Sequence, residues 1–190
     1  AVEKKVISQE AMDSFMNSIE TVAHEFVIDA KEVADNNKNW KDFIETYGHL
    51  RPGTYDITSE AYADNVDKYL RPVVDRAKKT TFEGLRDKEL PWLNERDKFF
   101  SALIELGIND SSDTIENFLK SSIEGREYAK FIFTSSLSDT LQLIENFCKE
   151  EFKIYKNDAA FLNIKTLLEL YSSSTISKDQ ILSQIKSSKY

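Results

Sequence analysis

Tyr47-Gly48-His49-Leu50-Arg51-Pro52-Gly53-Thr54-Tyr55-Asp56-Ile57 is the stretch on which the fold turns. It gathers two of the five glycines, one of the three prolines and one of the two histidines of the protein. An arginine, two tyrosines and an aspartate stand beside them. A helix arriving along Trp40–Tyr47 meets Gly48, which can take a positive φ and end it. Pro52-Gly53 suits a tight turn, proline fixing φ at one corner and glycine free at the next. His49, Arg51, Tyr55 and Asp56 are then carried on irregular backbone, where binding groups concentrate. Outward from this stretch the apolar residues recur at helical spacing in both directions. The expected fold is all-α: an irregular multi-helix bundle interrupted by one long loop at about residues 48–60.

On the N-terminal side, Ser8 suits an N-cap. Ala11, Met12, Phe15, Ile19, Val22, Phe26 and Val27 follow at the spacing of one long amphipathic helix, with His24 near its stripe. Residues 35–39 are a polar break before Trp40. On the C-terminal side, residues 61–70 read as a short helix or an ordered loop, and Arg71-Pro72 marks a boundary. Lys78-Lys79 and Arg86-Asp87-Lys88 form either a solvated basic face or a docking edge. Pro91-Trp92-Leu93 opens a helix that Gly107 closes. The next helix carries Ile115, Phe118, Leu119 and Ile123. Gly125 within it marks a kink, a close approach or a helix end. Ser136 or Ser138 starts a further helix, and Asn157-Asp158 interrupts the pattern. Phe161, Leu162, Leu167, Leu168 and Leu170 form another helical segment. Ser172-Ser173-Ser174 is a linker, and Ser177 caps a last helix.

With 190 residues, the chain has the length of a single helical domain spanning residues 1–190. A hydrophobic share of 41% and an aromatic share of 12% supply a core. The net charge of −8 argues against nucleic acid and against anionic membrane surfaces. A membrane span is not expected, because no apolar run is long enough. The single cysteine, Cys148, stands among apolar helical positions and reads as a core residue, with a reactive thiol as the alternative. The composition fits a reducing, cytoplasmic setting.

Chemistry-bearing motifs are sparse. There is no phosphate-cradling glycine loop, no dinucleotide turn and no Cys/His cluster for zinc, so no metal site is expected. Within the loop, Arg51 offers a cationic fork for a carboxylate or phosphate. His49 carries an imidazole, which has the chemistry of a general acid or base. Asp56 has three uses open to it: orienting His49, pairing with Arg51, or accepting N–H groups of its own turn. An Arg–Asp pair pinning the turn, with Tyr47 and Tyr55 packed beneath, is the structural alternative to a ligand site. Arg126 and Lys130 lie one helical turn apart, either facing the same site or pairing on the surface with Glu127 and Glu124.

Gly48-His49-Leu50-Arg51-Pro52-Gly53-Thr54-Tyr55-Asp56-Ile57 resembles a motif in the helical middle region of phosphoenolpyruvate synthase and pyruvate, phosphate dikinase-like proteins. It is similar, too, to a Gly-His-Arg-Gly-Pro-Gly-Glu loop of the rifampin phosphotransferases. A second similarity lies at Arg126-Glu127-Tyr128-Ala129-Lys130-Phe131-Ile132-Phe133-Thr134, followed by Leu137-Ser138-Asp139. The family continues the first motif with Ser-Pro-Arg-Tyr or Arg-Pro-Arg-Trp, where this chain has Ser59-Glu60-Ala61-Tyr62. The resemblance implies a substrate-binding or positioning domain that lacks the ATP-binding and phosphohistidine modules. A chain opening on Ala1-Val2-Glu3 is then expected to be part of a larger multidomain protein. The parent would be a phosphotransferase using ATP and Mg, with the piece alone inactive and without a cofactor of its own. Its partners would be those flanking modules and a small-molecule acceptor, held through His49, Arg51, Tyr55, Asp56, Arg126 and Lys130. A purely structural connector and an independent protein-interaction module are the alternatives.

Overall fold

The computed structural model describes residues 1–79, 85–172 and 177–189. The Ser173 and Ser174 part of the expected linker lies outside them, as do the side chains of Arg86, Asp87 and Lys88. Among the described residues the chain forms ten α-helices and no strand, which is the all-α class expected. It divides into two compact units: Ala1–Asn39 with Pro72–Ile132, and Trp40–Arg71 with Phe133–Tyr190.

In the first unit, the Ser8 side chain accepts the Ala11 N–H at 3.1 Å and caps α1 (Gln9–Asn17). The expected long helix is broken here: the chain stops at Asn17 and restarts as α2 (Val22–Ala34). Ser18 donates its hydroxyl to the Phe15 carbonyl at 2.8 Å, which competes with the helical ladder. The break also delivers Ile19 to the core, where it is only 2% exposed. That core joins Ile7, Ala11, Phe15 and Ile19 to Trp92 and Phe100 of α6 (Leu85–Glu105). The Phe15 and Trp92 rings sit 4.7 Å apart. α6 begins before Pro91, not at it. The lost proline N–H costs one helical bond, and burial of Trp92 and Phe100 outweighs it. Gly107, at φ +86°, ends α6 as expected, with Ile108 N–H bonded to the Leu103 carbonyl at 3.0 Å.

Ser111 caps α7 (Ser112–Phe147), accepting the Thr114 N–H at 3.2 Å. This helix runs unbroken through Gly125 and through both serines expected to start a new one. Ser138 is buried with its hydroxyl engaged by Arg51, and Ser136 offers its carbonyl to the Thr140 hydroxyl at 2.8 Å. Neither serine caps anything.

The second unit contains α3 (Trp40–Tyr47), a 3₁₀ turn (Tyr62–Asn65) and α4 (Val66–Tyr69). It also holds residues 133–147 of α7, which widen into a π turn (Cys148–Phe152) closed by left-handed Lys153. α5 (Arg71–Lys78), which belongs to the first unit from Pro72 onward, begins at the expected Arg71-Pro72 boundary. Asn157 and Asp158 lie inside a short helix, α8 (Lys156–Ala159), rather than breaking one. An acidic group in a first helical turn is favoured by the N–H groups exposed there. α9 (Ile164–Ser172) and α10 (Lys178–Ser188) follow, the latter capped by Ser177 with Gln180 reaching back to it. Ile57, Cys148, Ile154, Ala159, Ile181 and Ile185 form one hydrophobic cluster of this unit, where Phe43, Tyr47 and Leu70 are buried as well.

Candidate functional site

Two backbone bonds close the neck of the loop. The Ala63 N–H donates to the Gly48 carbonyl at 2.9 Å, and the Tyr62 N–H to the Leu50 carbonyl at 2.8 Å. Gly48 ends α3 without the positive φ expected of it. Its reason is space. A Cβ there would stand 2.4 Å from the Ile44 carbonyl oxygen and 2.9 Å from the Ala63 Cβ. Pro52-Gly53 leads into the turns rather than forming their centre. Asp56 N–H bonds the Gly53 carbonyl at 3.0 Å, and Ser59 N–H bonds the Asp56 carbonyl at 3.0 Å.

Arg51 is buried, 8% exposed. Its Nε donates to Ser138 Oγ of α7 at 2.9 Å, and its Nη1 to the Ser59 carbonyl across the loop. Asp56 adopts the third of its possible roles. Its Oδ1 accepts the Thr58 hydroxyl at 2.7 Å and the Thr58 N–H at 2.8 Å. Those two bonds, hydroxyl first, hold its carboxyl below the usual carboxylate range. Tyr55 is 73% exposed. His49 is half-buried at the neck, with Nε2 shielded from solvent. Ala61, where the resembling family motif carries arginine, is buried. Glu60 beside it takes the Lys68 ammonium at 3.1 Å.

Arg126 and Lys130 belong to the first unit, on an exposed stretch of α7. Arg126 pairs there with Glu127 at 2.9 Å, the surface role anticipated as the alternative. The six candidate residues therefore do not share one compact unit. Tyr55 and Asp56 do meet at a cleft of about 230 Å³. Ile57 joins them from the loop, Leu141 and Ile144 from α7, Ala159 and Ala160 from the end of α8, and Leu162, Ile164 and Leu167 from the segment through α9. His49 and Arg51 do not line it.

The cleft was hidden in the sequence because its walls have the spacing of ordinary core positions. The one signal was α9, where Ile164, Leu167 and Leu168 give more apolar surface than a one-sided helix needs. Ile164 and Leu168 are each 62% exposed. Cys148 is 1% exposed, and burial pushes its thiol pKa up, as befits a core residue. Among the described residues, no helix is long and apolar enough to cross a membrane. In comparison with known proteins, the chain matches no family model, no curated protein and no solved structure.

Proposed function

We propose that this chain is a helical positioning domain of a phosphoenolpyruvate synthase/dikinase-like phosphotransferase, and that its 48–60 loop serves the architecture of that domain. One observation carries the architectural role: the buried Arg51 guanidinium ties the loop to Ser138 of α7 and to the loop's own Ser59 carbonyl. To grip an acceptor, Arg51 would have to meet it through a guanidinium that is 8% exposed and already engaged with Ser138 and Ser59. The phosphotransferase context rests on the two stretches of resemblance, residues 48–57 and 126–134. In that context flanking modules supply ATP, Mg and the phosphohistidine, this chain spaces them, and the whole works in the cytosol.

Arg51→Ala is expected to lower the unfolding free energy by about 2–3 kcal/mol, because it leaves buried acceptors without their donor. Unfolding in urea at fixed pH and salt measures it, and a loss below about 0.5 kcal/mol overturns the architectural role. The gene on either side of the segment encoding these residues tests the context. ATP-binding and phosphohistidine modules are expected in the same reading frame, and a frame with neither removes the phosphotransferase from the proposal.

A further inference from the structure

The geometry points to the cleft of the second unit as a binding site for small amphiphilic cations, an ammonium group carrying a short aromatic or aliphatic body. The floor and walls are apolar, built from Ile57, Leu141, Ile144, Leu162 and Leu167, and no basic side chain is among the lining residues. One charged group stands at the rim, Asp56. Thr58 holds Asp56 Oδ1 through two bonds, which fixes the direction of the carboxylate. The same bonds keep it ionised at neutral pH. Beside it the Tyr55 ring is largely exposed, and an aromatic face adds attraction for a cation.

An anion of the same shape meets the Asp56 charge and finds no counter-charge in the lining. A neutral body gains burial but no orienting partner. The volume of about 230 Å³ equals roughly eight waters of liquid, room for a body of roughly ten non-hydrogen atoms. Ligands of that size reach dissociation constants on the order of 1 mM. This inference stands apart from the phosphotransferase context and survives its failure.

The test is an NMR titration of the 190-residue chain with phenethylammonium, phenethyl alcohol and phenylacetate. Phenethylammonium is expected to shift resonances of the cleft residues and to bind at least about fivefold more tightly than the alcohol and tenfold more tightly than phenylacetate. Asp56→Asn keeps an oxygen for Thr58 and is expected to erase most of the preference for the cation. Ala160→Trp, at an exposed lining position, is expected to fill the cleft and abolish binding of all three. Equal binding of phenylacetate, a preference untouched by Asp56→Asn, binding that survives Ala160→Trp, or no saturable shift at about 10 mM would each overturn the inference.

Discussion

Glu116 of α7 receives three donors from its unit: Arg96 Nε at 2.6 Å, Lys120 Nζ at 3.2 Å and the Trp92 indole N–H at 3.3 Å. Burial pushes its pKa up, but the hydrogen bonds from Arg96, Lys120 and Trp92 outweigh that and leave it below the usual carboxylate range. The folded state therefore binds this proton more weakly than the unfolded chain does. Its contribution is present above the unfolded carboxylate pKa, about 4.3, and is lost as pH falls through the lower folded value. Glu116→Gln is expected to cost about 1–2 kcal/mol at pH 7. The gap to the wild type is expected to narrow steadily on acidification below about pH 4.5. Urea unfolding across that range checks both, and a gap constant with pH would mean the charge contributes nothing. Partnerships of this kind are invisible in sequence. Arg51 and Asp56 are recognisable as polar groups on a loop, yet the choice between ligand, Ser138 and Thr58 depends on where a distant helix lies.

α7 shows what local patterns do and do not say about elements. Helix ends were legible wherever a side chain or a glycine satisfies the end groups by itself: Ser8, Ser177 and Gly107 all do so. Interiors were not legible where the outcome rests on tertiary partners. Ser138 resembles a cap until Arg51 claims its hydroxyl, and Pro91 resembles a start until the preceding turn of α6 is counted. The α1–α2 break has the opposite origin, since apolar spacing alone runs straight through it. Gly125 serves neither as a helix end nor for a close approach: α7 continues through it, and an added Cβ would meet nothing within 4 Å. Gly125→Ala is therefore expected to stabilise the protein by about 0.5–1 kcal/mol, by restricting the unfolded chain and favouring the helix. A rise of a few degrees in the thermal midpoint checks it, and a fall would reveal a close neighbour at that face.

At the scale of the whole molecule, the described residues include one hydrophobic cluster around Trp92 and Phe100 and another around Cys148 and Ile181. Each draws on segments far apart in sequence, and composition promised enough apolar residues without saying how they would be shared. Cys148 makes the second centre measurable, because its thiol reaches solvent only when that unit opens. Ile181, 1% exposed, packs in the same cluster. Ile181→Ala is expected to cost about 2–4 kcal/mol and, if opening equilibrates before labelling, to speed modification of Cys148 by at least tenfold under native conditions. Labelling at an unchanged rate would place the thiol outside the cooperative core.

The closed neck of the loop sets the fate of a cut. Tyr55, 73% exposed on backbone without regular structure, is the bond a chymotrypsin-like protease would take first there. Its two new ends would remain seated, one side by Arg51 on Ser138, the other by Ile57 in the core and by the pairings of Tyr62 and Ala63. A nicked molecule should elute from a sizing column as an intact one does. It should fall into two pieces only in denaturant.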